Sequence, residues 1–201
     1  MEDNIFFISN APGNTMQAFL EKELSKCERF IISVAFISKS GLASLKQTLL
    51  ELENRGIPGK ILTTDYLTFT EPGALRSLSK YRNIEVKLFR CDKNIKGFHT
   101  KGYLFFKEKV ISITIGSSNL TGNALAVNKE WNTCFSVEDD ATLYKSVIED
   151  FESLWNSSNA FPITEEVLDE YTQIYIEQKR IAKKLQQQKI ALEKDAVIRE
   201  S

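Results

Sequence analysis

Hydrophobic and polar residues follow two alternating patterns along the first half of the chain. Short apolar runs predict β-strands at residues 5–9, 29–37, 59–64 and 84–90. The second of these runs is apolar at nearly every position, which is typical of a strand buried on both faces. Apolar residues at helical spacing predict a helix over 15–26 and another from Ser40, as its capping residue, to Arg55. Strands separated by helices of about a dozen residues indicate an α/β fold with a mixed, mostly parallel sheet flanked by helices.

The second half of the chain is denser in predicted strand. Residues 100–107 and 110–115 flank Glu108-Lys109, a pattern that indicates a hairpin with a two-residue turn. Further patterns predict a short helix, a strand and an amphipathic helix, at 120–126, 129–137 and 139–155. Pro162 and the polar residues before it then predict a break. We place the boundary there, with one domain at 1–160 and a helical extension at 161–201.

The extension is predicted to be one long helix that begins at Thr164. Glu165 and Glu166 suit the positive end of a helix, and the composition then shifts to Glu, Lys, Gln and Ile without Gly or Pro. A thin apolar stripe runs along it, at Ile174, Ile181, Leu185 and Leu192. We favour a solvated helix that packs one edge on the domain. A short coiled coil, or a linker to a further domain, is the alternative.

Charge balance and the counts of rare residues narrow the classes of function. The chain carries 26 Lys and Arg against 27 Asp and Glu, which excludes nucleic-acid binding through bulk positive charge alone. Its one histidine and three widely spaced cysteines lack zinc-site spacing, so no metal or other cofactor is expected. A site that needs two histidines cannot be built from one chain. The apolar runs are too short for a signal or membrane segment, and the cysteines suit reduced thiols in a cytoplasmic protein.

One segment of the second half combines residues that suit a phosphate site. On a strand, His99 and Lys101 leave the same face, and a histidine beside a cation is a poor choice for a core. Together they offer positive charge and a nitrogen that can act as a nucleophile or move a proton. The small residues at 116–119 can present backbone N–H groups and hydroxyls as a phosphate cradle. Asp65-Tyr66 follows a predicted strand and is interpreted as a turn, with a place near the ligand as the alternative.

These motifs resemble the signature of the phospholipase D superfamily, which is His-x-Lys followed by Gly-Ser-x-Asn. His99-Thr100-Lys101 and Gly116-Ser117-Ser118-Asn119 match it in order, and Asn128-x-Glu130 matches the downstream acidic element of the family's nucleases. The resemblance implies a phospholipase D-like α/β fold whose catalytic residues are His99, Lys101, Asn119 and Glu130. It further implies metal-free phosphate binding by Ser117, Ser118 and Lys101.

The resemblance also implies a two-step reaction that needs two histidines. One attacks phosphorus and forms a covalent phosphohistidine, and the other protonates the leaving oxygen and then activates water. Because the chain has only His99, we expect one site to be shared by two chains of a homodimer around a two-fold axis. In that arrangement Glu130 is expected to orient the histidine of the other chain.

Two classes of function stay open from the sequence. The favoured one is a metal-independent endonuclease acting on nucleic acid, with DNA favoured, as a module of a restriction or helicase-linked system. A run of basic residues supports it, at Lys80, Arg82, Lys87, Arg90, Lys93, Lys96 and Lys101. The alternative is a non-catalytic nucleic-acid-binding or dimerisation module, because Phe106 stands where the family usually has an aspartate. The site residues also have ordinary interpretations, as an edge-strand charge (Lys101), a helix cap (117–119) and a surface acid (Glu130).

Overall fold

The structure is a computed structural model that describes residues 5–91 and 97–200, with side chains up to residue 190. Its strands are β1 (Ile5–Ile8), β2 (Arg29–Val34), β3 (Gly59–Thr64), β4 (Ile84–Phe89), β5 (Lys101–Lys107), β6 (Val110–Gly116), β7 (Asn132–Glu138) and β8 (Ala160–Pro162). Its α-helices are α1 (Met16–Lys26), α2 (Lys39–Ser44), α3 (Lys46–Asn54), α4 (Pro72–Leu78), α5 (Gly122–Ala126), α6 (Thr142–Trp155) and α7 (Glu165–Glu200). Most of the predicted elements are present, with shifted ends.

All of these strands form one sheet, in the order β1-β7-β6-β5-β2-β3-β4-β8. Parallel pairing joins β2 to β3 and β3 to β4, and the other five described pairs are antiparallel. The expected mixed sheet flanked by helices is therefore confirmed, but the expectation that it is mostly parallel is wrong. The predicted hairpin at Glu108-Lys109 makes β5 and β6 antiparallel, and β7, β1 and β8 extend the sheet in the same manner.

The sheet buries side chains on both faces, as the apolar run at 29–37 predicts. Phe30 and Ile32 belong to the core that also contains residues of α1, α3 and α4. Ile31 belongs to the core on the other face, which α6 covers with Phe151 and Trp155. Because side chains alternate along a strand, each central strand contributes to both cores.

Helix boundaries between β2 and β3 differ from the sequence prediction. Ser38, and not Ser40, caps α2, because its hydroxyl accepts a hydrogen bond from the N–H of Gly41 at 3.1 Å. The Ser40 hydroxyl instead accepts from the N–H of Gly122 at 3.3 Å, which ties the start of α2 to α5. The predicted single helix is also interrupted at Leu45, whose backbone is not helical.

Two short elements have no periodic pattern that would predict them. Helix α4 begins at Pro72, a position where proline is favoured because the first N–H of a helix has no partner within it. Strand β8 pairs with β4 at the edge of the sheet, where a proline can be accommodated. Pro162 therefore ends an edge strand, and the predicted break between domain and extension contains a paired segment.

Helix α7 packs on the domain with its first turns. Thr164 caps it as predicted, and its hydroxyl accepts a hydrogen bond from the N–H of Val167 at 3.2 Å. Leu168 and Tyr171 are buried, and the Tyr171 hydroxyl donates to the carbonyl of Thr70 at 2.6 Å. Further along, apolar side chains are exposed, at Ile174, Ile181 and Leu185. Although α7 is long, no helix in the described part of the chain is both long and apolar enough to cross a membrane.

Candidate active site

The side chains of His99 and Lys101 meet where β5 begins. Lys101 is the first residue of the strand and pairs with Val34 of β2, whereas His99 lies in the loop just before it. The Lys101 Nζ lies 2.5 Å from His99 Nδ1 and 2.8 Å from the His99 carbonyl oxygen. The two side chains therefore share one space, as predicted. The prediction that His99 lies on the strand is wrong, because β5 begins at Lys101.

The electrostatics of this pair favour an uncharged histidine. Lys101 is only 9 % exposed, and this burial lowers the pKa of its ammonium group, while the charge of Glu130 acts to raise it. Partial burial and the charge of Lys101 lower the pKa of His99 below its ordinary value of 6.5. An ammonium group only donates hydrogen bonds, so His99 Nδ1 accepts, and the proton of the neutral ring lies on Nε2.

Aromatic side chains line the other side of the His99 ring. Phe36 and Tyr66 contact it edge-on, with ring centroids 5.3 and 6.3 Å away. Phe69 lies against Phe36 at 4.9 Å. Phe36 follows β2, and the other two follow β3, so all three come from the carboxyl ends of parallel strands. Ligand sites gather at such ends, and this signal had already given Asp65-Tyr66 a place near the ligand as an alternative to a turn; the same signal could have found Phe36 and Phe69.

The loop after β6 uses most of its polar groups within the protein. At Gly116 a Cβ would collide with the Trp131 carbonyl and with Asn132, so only glycine fits. The N–H groups of Ser117 and Ser118 donate to the Trp131 carbonyl and to Asn132 Oδ1, at 3.0 and 3.3 Å. The expected cradle of free backbone N–H groups is therefore wrong for these two residues.

Ser118 is a fully buried residue of this loop. Its hydroxyl donates to the carbonyl of Ala124 at 3.2 Å and accepts from the side-chain amide of Asn132 at 2.9 Å. Its carbonyl accepts from the buried hydroxyl of Tyr103 at 2.9 Å. Ser118 thus fixes the loop to α5, β7 and β5, and its hydroxyl faces the interior, where Ala124 and Asn132 engage it. The cap of α5 is Thr121, so residues 117–119 do not cap that helix either.

Asn119 holds the loop against the segment that follows β2. Its Oδ1 accepts a hydrogen bond from the N–H of Phe36 at 3.1 Å. The next residue, Leu120, donates its N–H to the Phe36 carbonyl at 3.1 Å. Because Phe36 also contacts His99, these bonds bring Asn119 to the same corner of the sheet. With the oxygen engaged, the remaining polar group of the side chain is its NH₂, which can only donate hydrogen bonds.

Glu130 contacts the loop of its own chain. Its carboxylate accepts a hydrogen bond from the hydroxyl of Ser117, and the same hydroxyl accepts from the N–H of Trp131 at 3.0 Å. Its charge reaches Lys101, since it raises the pKa of that ammonium group. Within residues 5–91 and 97–190, no hydrogen bond or ion pair joins Glu130 to His99. The side chain is thus close to the site but does not orient the histidine of the same chain.

Phe106, at the position of the family's aspartate, lies far from the His99–Lys101 pair. It is five residues along β5 from Lys101, or about 17 Å at the usual rise of a strand. Its side chain is buried in the core under α6, where its ring meets Tyr144 edge-on at 6.1 Å. The guanidinium of Arg29 lies 3.6 Å from its ring centroid. The residue therefore packs, and its identity leaves the His99–Lys101 pair unchanged.

The basic run predicted at 80–101 does not form one open patch. Arg82 pairs with Glu53, Arg90 pairs with Glu170 at 2.7 Å, and Lys87 donates to the Trp155 carbonyl at 2.8 Å. Lys93 and Lys96 lie outside the described residues. In the part of the chain that the structure describes, no group of three or more His, Cys, Asp or Glu side chains could hold a metal ion.

Two comparisons with known proteins gave matches, one with a family model and one with solved structures. A family model described as "Cardiolipin synthase, PLD-like domain" matches residues 20–155. No curated protein matches the chain in sequence.

Solved structures share the fold. NucT from Helicobacter pylori aligns with a TM-score of 0.60 and 17 % identity, over 79 % of this chain and 98 % of that protein. The phospholipase D family member Nuc from Salmonella typhimurium aligns with a TM-score of 0.60 and 16 % identity, over 80 % of this chain and 98 % of that protein. Phosphatidylserine synthase from Haemophilus influenzae gives a TM-score of 0.65 at 15 % identity, over 92 % of this chain and 45 % of that protein.

Proposed function

Because the chain belongs to the phospholipase D-like family, whose model covers residues 20–155, we propose that it is a phosphodiester hydrolase that cleaves nucleic acid without a metal. DNA is the favoured substrate, and His99 is the nucleophile. The observation that carries the proposal is the contact between Lys101 and a histidine whose pKa is lowered. It places a partly exposed imidazole beside a fixed positive charge, which attracts a phosphodiester to the ring and stabilises negative charge on its phosphoryl oxygens.

The reaction proceeds in two balanced steps. In the first, Nε2 of one histidine bonds to phosphorus, the bond to the leaving oxygen breaks, and a second histidine gives that oxygen a proton. In the second, the second histidine takes a proton from water, whose oxygen bonds to phosphorus and releases the first ring. Lys101 and the NH₂ of Asn119 stabilise the negative charge on the phosphoryl oxygens, and the Ser117 hydroxyl lies within the same loop.

Two copies of the chain share the site in this proposal. Within one chain, the Lys101 ammonium group donates to His99 Nδ1 and the ring proton lies on Nε2. This histidine can act as the proton donor, because Nδ1 takes a proton from Lys101 as Nε2 gives its own to the leaving oxygen, and the two transfers reverse in the second step. The nucleophile needs the other tautomer, with the Nδ1 proton held by an acceptor. Glu130 of the second copy is the acceptor that we assign, because Glu130 lies near the site without contacting His99 of its own chain.

An exposed apolar patch beside Glu130 supports pairing with a second copy. Trp131 is 69 % exposed and Phe7 is 49 % exposed, and their rings meet edge-on at 5.7 Å. Val127 is exposed in the same loop region. Contiguous exposed apolar surface marks interaction sites, and one self-complementary patch is enough for a two-fold dimer.

Charge on α7 supports nucleic acid as the substrate. Residues 178–190 contain basic side chains and no acidic ones, at Lys179, Arg180, Lys183, Lys184 and Lys189. Lys179 lies 5.7 Å from the ring of Phe69, which contacts Phe36 and so connects to the wall of the His99 site. A basic helix that leaves the site in this way suits contacts with a phosphate backbone. Membership of a restriction or helicase-linked system is part of the same proposal.

The second candidate is a non-catalytic nucleic-acid-binding or dimerisation module. The observation that favours it is the bond from Lys101 to His99 Nδ1, because that bond keeps Nε2 protonated and removes the nucleophile. Phe106 at the family's aspartate position is also compatible with a weakened site.

Cleavage in excess EDTA separates the two candidates. Wild-type protein is expected to cut labelled DNA, with RNA as the comparison, and to trap an acid-labile phosphoryl group on His99. His99→Asn is expected to lose both signals and keep the unfolding midpoint. Cleavage by His99→Asn at the wild-type rate excludes His99 as the nucleophile. If the wild type binds DNA and does not cut it, the non-catalytic module replaces the proposal.

The number of trapped phosphates tests the shared site. Sedimentation should give twice the chain mass of 22.9 kDa. Trapping should yield one phosphohistidine for every two chains, because only one histidine of the pair acts as the nucleophile. A monomer at every concentration, or one phosphate on every chain, contradicts a site shared by two copies.

A further inference from the structure

A cavity of about 410 Å³ opens beside His99, on the face of the sheet that α6 covers. Its floor is formed by the ends of β2, β5 and β6, and its far wall is formed by the middle of α6. His99, Thr100 and Lys101 form its border with the site described above. The volume falls in the range of roughly 300–1,000 Å³ that is usual for sites of small ligands.

Small residues on adjacent strands create this cavity. Ser33 of β2 and Gly102 of β5 are partners in the sheet, and Ile115 of β6 is the next partner of Gly102. A Cβ at Gly102 would have no heavy atom within 4 Å, so the glycine is not needed to avoid a clash within the chain. Its backbone also needs no positive φ. Neither packing nor backbone conformation therefore requires glycine at position 102, and the space beside it is free for another molecule.

The lining has apolar walls and a polar, acidic rim. Leu104, Ile115 and Phe151 supply the walls. Ser146 and Asp150 lie one turn apart on α6, at the rim. An apolar slot suits the faces of a planar ring, and a carboxylate at the rim accepts hydrogen bonds from amino groups. The same carboxylate repels phosphate, so the phosphoryl group stays on the side of Lys101.

We propose that this cavity binds the nucleobase next to the phosphate that His99 attacks, and that Asp150 selects bases with an exocyclic amino group. The inference rests on the proposed function, since it assigns the base of the same substrate. Cytosine is the reference ligand, because a carboxylate accepts a hydrogen bond from its N4 amino group and finds no donor at the O4 of thymine. Binding in the cavity lifts that base out of its stack, which favours single-stranded or unpaired substrate.

Two variants alter the cavity without touching the reacting groups. Gly102→Val fills it with a side chain that suits a strand and meets no neighbour at Cβ. Its matched control is Thr133→Val, at an exposed residue that pairs with Ile115 but does not line the cavity. Asp150→Asn removes the selecting charge, and Glu149→Gln removes a charge of the same sign from the neighbouring position of α6.

The experiment measures binding before cleavage, so that an inactive protein still gives an answer. Short single strands carry cytosine, thymine or no base at one position and abasic sites elsewhere. Fluorescence anisotropy in EDTA gives their affinities, and the same strands then serve as cleavage substrates. Wild type should bind the cytosine strand about ten-fold more tightly than the abasic one, since one good contact to a base edge discriminates by that amount.

Gly102→Val should bind the cytosine and abasic strands equally, and Asp150→Asn should bind the cytosine and thymine strands equally. Both control variants should keep the wild-type preference. Equal affinity of the wild type for cytosine and abasic strands overturns the inference, and so does a preference that survives Gly102→Val. A base preference in binding without any cleavage refutes the proposed hydrolase and leaves the cavity assignment in place.

Discussion

Each end of strand β5 carries a lysine, and the two lysines have opposite surroundings. At its start, Lys101 is nearly buried and its ammonium group contacts a histidine, an arrangement that costs solvation and lowers the pKa of both groups. At its other end, Lys107 pairs with Glu23 at 2.6 Å, and Phe106 fills the core beneath Arg29. Among the side chains that the structure describes, no carboxylate bonds directly to the Lys101 ammonium group, whereas Lys107 has a carboxylate partner in Glu23.

The comparison distinguishes residues proposed to act in the reaction from residues that stabilise the fold. A buried cation beside a histidine weakens a fold unless something else is gained, which supports our assignment of the proposed reaction to this end of the strand. The packed end carries the departure from the family pattern, at Phe106. Substitutions at the two ends should therefore affect different measurements, with activity changing at one end and the free energy of unfolding at the other.

Loss of the nucleophile should produce the largest effect of this series. His99→Asn is expected to reduce the cleavage rate at saturating DNA by on the order of 10⁴-fold or more, because no covalent intermediate can form. The side chain is exposed, so the free energy of unfolding should stay within about 0.5 kcal/mol of wild type. Single-turnover rates and denaturant unfolding give the two numbers. A rate loss that parallels a loss of stability would mean that His99 is structural.

Truncation at the packed end should change stability and leave the chemistry intact. Phe106→Ala is expected to lower the free energy of unfolding by about 3–5 kcal/mol, because it removes a buried ring from the core under α6. Well below its unfolding transition the variant should cleave DNA at the wild-type rate. Urea unfolding and cleavage assays on the same sample check both statements. A selective loss of activity in the folded variant would make Phe106 part of the site.

Removing the buried charge should lower activity and move its pH dependence. Lys101→Met is expected to cost about 10²–10³-fold in rate through loss of charge stabilisation. The His99 pKa should rise, because the ammonium group no longer opposes protonation of the ring. The neutral ring is lost as pH falls through that pKa, so the acidic limb of the pH–rate profile should move to higher pH. Proton NMR of His99, the one histidine of the chain, measures the pKa directly.

Lys107→Met is the matched control for that variant. It removes the same charge from the same face of β5, six residues away, and breaks the pair with Glu23. Activity and the His99 pKa should stay at their wild-type values. An equal shift of the pKa in both lysine variants would show that net charge, and not the contact of Lys101 with the ring, sets it.

The smallest effect is expected for Arg29. Its guanidinium lies over the ring of Phe106 but the side chain is largely exposed, so Arg29→Gln should cost about 0.5–1 kcal/mol of stability. In a Phe106→Leu background the same change should cost less, since the ring is gone. Equal costs in the two backgrounds, measured by a double-mutant cycle, would show that the ring contact contributes nothing.

Local patterns predicted most elements of the fold but not the way the strands pair. The apolar runs predicted β2, β3 and β4, and the turn at Glu108-Lys109 predicted the hairpin, because those signals lie within a few residues of each other. Five of the seven described pairings are antiparallel, and several of them join strands far apart in sequence, such as β1 with β7 and β4 with β8. The pairing of distant strands depends on tertiary packing, so the periodicity of any one segment does not predict it.

For the candidate site, the motifs predicted the residue types, and the structure showed which side chains face the site and which face the interior. Ser117 and Ser118 are neighbours of the same residue type and both were expected to bind phosphate, yet the hydroxyl of Ser118 faces the interior and that of Ser117 faces Glu130. Nothing in their spacing separates them, since the distinction depends on Asn132 and Ala124, which other elements supply. The contact of Phe36 with His99 also has no signal in the local spacing, because it depends on the pairing of β2 with β5.

The sequence alone determined which residue types are available for the candidate site and that the chain has one histidine. His99, the lysine two residues later and the Gly-Ser-Ser-Asn segment predict a phosphate site, and the single histidine means that a two-histidine reaction would need a second copy. Only the tertiary structure decided which groups are free to act, because hydrogen bonds and burial assign each donor to the interior or to the site. The cavity beside His99 belongs to this second class, since it exists where Gly102 faces a gap that only the packing of α6 on the sheet could form.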